Sequence, residues 1–208
     1  MSSTQNVIFR NVQVIDGNED EAFTADVLVR DGEIAAVERG GDLPEADDRS
    51  IDGKGRTLMS GLCDAHTHLT WNNGDLDAIA AMEVEDHVLV CAESARILID
   101  SGYTMAVGAA SAKMRLDVAT RDAINAGQIP GPRYLAAVRE ICSPAGMLVP
   151  GISTQVSGVE EMRKAVRDGI RIGADKELDK VRAVGKTGPD LLAVQHKIIT
   201  PFHRPHLH

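Results

Sequence analysis

The sequence has no long apolar run and no excess of basic residues. None of its apolar runs approaches the ~20 residues of a membrane-spanning helix. The first residues, MSSTQNVIF, also lack the basic and apolar regions of a signal peptide. The formal net charge of -9 argues against nucleic acid or an anionic membrane as a partner. We therefore expect a cytoplasmic protein with no nucleic-acid or membrane partner.

Paired cysteine motifs are also missing. Cys63, Cys91 and Cys142 are odd in number and widely spaced, and no C-x-x-C pair indicates a zinc knuckle or a redox site. We expect reduced cysteines, with Cys91 serving as a small core residue of a helix.

The remaining composition is that of an ordinary globular protein. Apolar residues make up 43% and charged residues 25% of 208 residues, enough for one large domain or for one domain and a smaller one. Short β-like runs fill the region from Val7 to about Arg56, with Asp31-Gly32 placed as a hairpin turn. The pattern predicts a small β-rich domain over residues 1–58.

Strand-like and helix-like segments then alternate over residues 59–176. The predicted strands are TLMSGLCDAH, YTMAVGAAS and RYLAAVREI. The predicted helices are a segment with an apolar stripe at Val84, Val88, Ala92, Ala95 and Ile99, residues 114–126, and a segment opened by a capping box of Ser157 and Glu160. This order predicts an α/β fold with a parallel sheet, either a barrel or a doubly wound fold. Residues 177–208 fit no further strand-helix unit.

The first of these strands ends in DAHTH. Side chains at i and i+2 of a strand lie on one face, about 6.5 Å apart, so His66 and His68 can converge on one ion, with Asp64 on the same face. Neutral imidazoles are good ligands for Zn²⁺, which lowers the pKa of bound water towards about 7. The alternative is that the two histidines only hydrogen-bond to backbone or water. His87, beside Glu85 and Asp86, is expected on a solvated helix face.

A series of segments carries a resemblance to a known family. VIFRNVQVIDG, DVLVRDGEIAAV and IDGKGRTLMSGLCDAHTHL resemble the opening of the amidohydrolase superfamily, close to imidazolonepropionase and the prolidase-like dipeptidases. The likeness runs from about Val7 to Asp175. It implies a (β/α)₈ TIM barrel with a β-sandwich built from both chain ends, and one or two divalent metals, zinc by expectation, held in part by His66 and His68. For Asp64 it leaves two roles open: orienting a ligand histidine, or holding the backbone of the turn.

The sequence departs from the family after the fourth strand-helix unit. The place of the family's bridging lysine holds Leu178, whereas Lys176 and Lys180 are out of register. A TIM barrel needs about 250 residues, so this chain is interpreted as an incomplete, truncated barrel with a divergent tail over 177–208. The tail's His196, His203, His206 and His208 could replace missing ligands, although no apolar strand leads to them. Since an incomplete barrel exposes sheet edges, we expect a homo-oligomer.

The resemblance implies a hydrolase that uses metal-activated water to cleave a C–N bond of a small-molecule amide, cyclic amide or dipeptide. Arg139, at the end of the third strand, could bind a substrate carboxylate through its planar fork or form a structural salt bridge. One alternative is a non-catalytic half barrel that associates with itself or a partner. Another is a metal-binding module that uses only its histidine-rich tail.

Overall fold

The structure is a computed structural model that describes residues 6–41, 43, 49–71, 74–144 and 151–175. It divides into two compact units, residues 1–61 and 62–208, close to the predicted boundary after residue 58. Within the described residues, no helix is long and apolar enough to cross a membrane.

The first unit is a five-stranded sheet. Its strands are β1 (Val7–Ile15), β2 (Phe23–Arg30), β3 (Glu33–Arg39), β4 (Arg49–Asp52) and β5 (Thr57–Met59). The order is β3-β2-β1-β4, with β5 also paired to β1; β1, β2 and β3 run antiparallel, and β4 and β5 run parallel to β1. Asp31 (φ 52°) and Gly32 (φ 80°) form the predicted hairpin turn, because a tight two-residue turn of this hand needs positive φ at both positions.

The second unit is α/β. Its elements are β6 (Leu62–Thr67), α1 (Leu76–Ala81), α2 (Val84–Asp100), β7 (Tyr103–Gly108), α3 (Leu116–Asn125), β8 (Arg133–Leu135), β9 (Ile141–Cys142), β10 (Thr154–Gln155) and α4 (Gly158–Ile172). β6, β7 and β8 form a parallel sheet in that order, and β9 pairs with β10 in parallel. The prediction of an α/β unit with a parallel sheet is confirmed.

The third predicted strand is interrupted. RYLAAVREI forms β8 and β9 with a break between them. In the break, the Ala136 N–H donates to an Asp175 carboxylate oxygen (2.9 Å) and the Ala137 N–H to the Asp117 carboxylate (3.3 Å). Because carboxylates take these donors, the backbone does not continue the strand ladder.

Two helix details also differ from expectation. The buried residues of α2 are His87, Cys91 and Ala95, whereas Val84 and Val88 are 48% and 44% exposed. The helix therefore packs a face that is offset from the predicted stripe, and Cys91 is the core residue expected. At the start of α4, Ser157 makes no side-chain cap, and Glu161 rather than Glu160 accepts the Ser157 N–H at 2.6 Å.

Candidate active site

The two histidines lie where β6 ends. His66 is the last residue but one of β6 and is exposed. His68 comes just after the strand and is half-buried. Their ring centroids are 5.1 Å apart with the planes nearly perpendicular, at 80°. Both line a cavity of about 460 Å³ that also includes Asp64, Trp71 and, from α2, Ser94 and Ile97. The structure thus brings the predicted pair and Asp64 to one opening.

Two contacts hold the His68 ring. Its face stacks on the indole of Trp71, with centroids 3.8 Å apart and planes 14° apart. Its Nδ1 lies 3.3 Å from the carbonyl oxygen of Ala110. Because a carbonyl can only accept, the neutral ring carries its proton on Nδ1 and has its lone pair on Nε2, the arrangement that a metal ligand needs.

Asp64 contacts the backbone of the turn. Its Oδ1 accepts the His66 N–H at 3.0 Å. The sequence left two roles open for Asp64, orienting a ligand histidine or holding the backbone of the turn. This hydrogen bond is the contact expected for the second role. It fixes the direction in which His66 leaves the strand.

A hydrogen bond from His87 of α2 holds the loop after His68, and the expectation for His87 from the sequence was wrong. His87 is fully buried, not on a solvated face, and its Nε2 donates to the Thr70 carbonyl at 2.7 Å. Thr70 is itself buried and accepts the Ala112 N–H on Oγ1 at 2.8 Å. The available signal was the i, i+4, i+8 spacing of His87 with Cys91 and Ala95, two small residues that allow close packing.

Arg139 follows β8 and is half-buried. It is not among the residues that line the histidine cavity. Its Nε is buried and has no hydrogen-bond partner among the described residues. The structure therefore shows no salt bridge through this nitrogen and does not bring Arg139 to the same opening as His66 and His68.

A buried acid in α3 is not among the residues that line the histidine cavity. Asp117, in the first turn of α3, is fully buried, and its Oδ2 accepts the Tyr134 hydroxyl at 2.6 Å. Burial raises the pKa of Asp117 to about 6, although hydrogen bonds from Tyr134 and the Ala137 N–H act in the opposite direction. Burial also raises the pKa of the Cys91 thiol to about 12 and raises the pKa of Tyr134, with the Asp117 charge adding to both. Sequence reasoning did not identify this group.

The donor set fits a metal in kind but not in number. A catalytic zinc takes at least three protein ligands. In the part of the chain that the structure describes, no group of three or more His, Cys, Asp or Glu side chains could hold a metal. His66 and His68 thus supply two imidazoles. The candidates Lys176, Leu178, Lys180, His196, His203, His206 and His208 lie outside the described residues.

Sequence comparisons find relatives for part of the chain. An imidazolonepropionase of Klebsiella pneumoniae is 40% identical over 76 residues, covering 34% of this chain and 18% of the relative. An adenine deaminase of Deinococcus radiodurans is 38% identical over 63 residues, covering 30% of this chain and 11% of the relative. No protein-family model matches the chain.

Solved structures match over most of the chain. An amidohydrolase is similar with a TM-score of 0.70 and 25% identity, over 83% of this chain and 46% of that one. A prolidase complexed with N-methylphosphonate-L-proline is similar with a TM-score of 0.68 and 25% identity, over 81% of this chain and 45% of that one. The chain spans less than half the length of the proteins it matches. Sequence and fold agree with the resemblance of the opening segments to the amidohydrolase superfamily, and both comparisons find this chain similar to C–N hydrolases of that kind.

Proposed function

We propose that this chain carries part of the active site of a metal-dependent hydrolase that cleaves a C–N bond in a small-molecule amide, cyclic amide or dipeptide. The observation that carries the proposal is the His66–His68 pair at the carboxyl end of a parallel strand, lining a cavity of about 460 Å³. The names of the similar proteins support the bond type, since they are an imidazolonepropionase, an adenine deaminase and a prolidase.

In this proposal, the site holds one or two divalent metal ions, which are zinc, and His66 and His68 are two of the metal ligands. Such an ion supplies a Lewis acid for the scissile carbonyl and lowers the pKa of the attacking water. Asp64 keeps His66 in place through its hydrogen bond to the backbone, and Trp71 with the Ala110 carbonyl keeps the His68 ring oriented. Preorganised ligands of this kind hold their geometry before the ion arrives.

Arg139 is proposed as a substrate-binding residue. Its buried Nε has no partner among the described residues, so the guanidinium retains a directed donor for a carboxylate. A dipeptide or an N-acyl amino acid carries such a carboxylate. Because Arg139 does not line the histidine cavity, this role requires a substrate that reaches from one region to the other.

Two histidines are too few ligands for a catalytic zinc, so the metal site needs further ligands. We propose that β6, β7 and β8 with their helices form the first part of a (β/α)₈ barrel, and that further ligands come from residues outside the described ranges. Parallel strands place their carboxyl ends at one face of such a barrel, so ligands from later strands would meet His66 and His68 there.

Metal content of the purified chain tests the proposal. We expect about one or more zinc ions per chain by mass spectrometry, with loss of the metal in the His66→Ala/His68→Ala double variant. The His203→Ala/His206→Ala variant also removes two histidines and tests the tail as the source of the further ligands: loss of metal in it as well would assign them to the tail, and retention would assign them to other residues. A parent without metal, or a loss seen only in the tail variant, would contradict the proposed site. Retained metal justifies assays with amides and dipeptides, with Arg139→Lys expected to raise KM for substrates that carry a carboxylate.

A further inference from the structure

Hydrogen bonds join the turn after β6 to the segment after β7 at two points. At the first, His68 Nδ1 donates to the Ala110 carbonyl at 3.3 Å. At the second, the Ala112 N–H donates to Thr70 Oγ1 at 2.8 Å. His68 and Thr70 are two residues apart in the chain, and so are Ala110 and Ala112. The two bonds therefore close a small ring that includes the imidazole.

The imidazole lies beyond the part of the chain that strand pairing fixes. The ladder between β6 and β7 reaches Thr67, which pairs with Gly108 and accepts the Ala109 N–H at 2.7 Å. His68 is the next residue after Thr67. Its direction therefore depends on the turn that follows the strand, and in that turn the Trp71 N–H donates to the His68 carbonyl at 2.9 Å.

Thr70 connects this turn to its surroundings through two oxygens. Its hydroxyl oxygen accepts the Ala112 N–H, and its carbonyl accepts Nε2 of His87 from α2 at 2.7 Å. Thr70 and His87 are both fully buried. The turn is thus held from one side by α2 and from the other by the segment after β7.

The segment after β7 is itself fixed, so it can act as a reference for the imidazole. All four of its residues, 109–112, are fully buried. The Ser111 N–H donates to the Val138 carbonyl at 3.0 Å, which ties the segment to the chain after β8. Of the contacts given above, the one from the Thr70 side chain is the bond that joins the far end of the turn to this segment.

The contact between His68 and Ala110 needs such support. A carbonyl only accepts, so this contact keeps the proton on Nδ1 and leaves the Nε2 lone pair for a metal ion. At 3.3 Å, however, it is just longer than the usual N–H···O range of about 2.7–3.2 Å. A small displacement of the turn is therefore enough to lose it, and with it the preference for one tautomer.

We propose that Thr70 is a positioning residue of the metal site. Its buried hydroxyl holds the turn after β6 against the segment after β7 and thereby keeps the His68 imidazole in the tautomer that binds a metal. The proposal rests on the proposed function, in which His68 is a metal ligand. Thr70 acts through His68, since it is not among the residues that line the histidine cavity. A purely structural hydroxyl would stabilise the fold without affecting the imidazole.

Threonine variants of the full chain separate the two roles. Thr70→Val removes the hydroxyl and keeps the shape of the side chain, whereas Thr70→Ser keeps the acceptor oxygen. The matched control is Thr120→Val, because Thr120 on α3 is also buried, its hydroxyl donates to the Leu116 carbonyl at 2.8 Å, and it does not line the cavity. Circular dichroism confirms that each variant is folded, and Thr70→Ala replaces Thr70→Val if the valine variant does not fold.

Two measurements report on the imidazole. Competition with a chromophoric chelator gives the dissociation constant for Zn²⁺ alone. Long-range ¹H–¹⁵N NMR spectra of the metal-free protein, in alkaline buffer where imidazoles are neutral, distinguish the Nδ1–H from the Nε2–H tautomer. The His68 signals are those that disappear in His68→Ala.

We expect the parent, Thr70→Ser and Thr120→Val to share one zinc dissociation constant and to hold His68 as the Nδ1–H tautomer. Thr70→Val should raise the constant about tenfold, the lower end of the range for partners that bind a ligand histidine directly. It should also move part of the His68 population to the Nε2–H tautomer.

With a parent that binds zinc, an unchanged tautomer or an unchanged dissociation constant in Thr70→Val would overturn the proposal. An equal loss of affinity in Thr120→Val would overturn it as well, since metal binding would then follow stability alone. A parent that binds no zinc would contradict the proposed function instead. In that case the tautomer in the metal-free protein decides by itself whether Thr70 positions the imidazole.

Discussion

Neutralising Asp117 is expected to make the protein more stable at neutral pH. The side chain is fully buried, its Oδ2 accepts the Tyr134 hydroxyl, and its Oδ1 has no hydrogen-bond partner among the described residues. A buried carboxylate in this state is stabilised on one oxygen only. The charged form therefore costs free energy in the folded protein.

The pKa gives the size and the sign of this effect. Burial raises the pKa of Asp117 from its ordinary value of 3.8 to about 6. A raised folded pKa means that the folded state binds the proton more tightly than the unfolded state. The stabilising contribution is complete below pH 3.8 and is lost as the pH rises to about 6. At about 1.36 kcal/mol per pH unit, the loss amounts to about 3 kcal/mol of the free energy of unfolding.

Urea unfolding of the parent and of Asp117→Asn across this pH range measures the effect. The unfolding free energy of the parent minus that of Asp117→Asn is compared at each pH. In this difference, the contributions of all other titrating groups cancel if their surroundings are the same in both proteins. We expect the parent to lose up to about 3 kcal/mol relative to the variant between pH 4 and pH 7. Tyr134→Phe removes a hydrogen bond that lowers the Asp117 pKa, so in that variant the loss should continue to higher pH.

The double variant Asp117→Asn/Tyr134→Phe is the control, since it has neither the acid nor its donor. Its stability relative to Asp117→Asn should not change with pH over the same range. A parent that gains stability relative to Asp117→Asn as pH rises would refute the reasoning, and so would a difference that is constant between pH 4 and pH 7.

Two further substitutions test the packing around these groups. A Cβ at Gly108 would lie 2.6 Å from both Asp117 Oδ2 and Tyr134 Oη. Gly108→Ala should therefore lower the free energy of unfolding by about 1–3 kcal/mol, and by less in a Tyr134→Phe background; an equal loss in both would exclude the hydroxyl as the obstacle. His87→Ala removes the donor to the Thr70 carbonyl and leaves a cavity, so urea unfolding should show a loss of about 2–4 kcal/mol. The exposed His66→Ala is its control and should change stability by less than about 0.5 kcal/mol; similar losses in both variants would contradict the anchoring role of His87.

Local patterns in the sequence identified most of the elements correctly. The β7 strand, the α2 helix and the turn at Asp31-Gly32 follow from hydrophobic alternation, helical periodicity and turn chemistry, all of which act between near neighbours. The same holds for the closeness of His66, near the end of β6, and His68, just after it, because only one residue separates them in the chain. These features are predictable because the residues that determine them are adjacent in the chain.

Features that depend on distant residues were missed. The break between β8 and β9 depends on Asp117 and Asp175, 20 and 39 residues away from the N–H groups they accept. Which face of α2 is buried depends on the elements that the helix packs against. The small residues on the buried face allow the sheet to approach more closely than Val84 and Val88, which are exposed, would allow. Periodicity therefore predicts that a helix has a buried face, but tertiary packing decides which of two adjacent stripes it is.

The histidine pair and the surrounding loop separate two requirements of a metal centre. One is preorganisation, and here it is built from local and tertiary contacts: Asp64 holds the His66 backbone, Trp71 and Ala110 hold the His68 ring, and His87 anchors the loop through Thr70. The other is the number of ligands, and in the described ranges the count stops short of three. Preorganisation lowers the cost of binding but cannot replace a missing ligand. The affinity of the described residues alone should therefore be weak, and tight binding would itself indicate that ligands arrive from outside them.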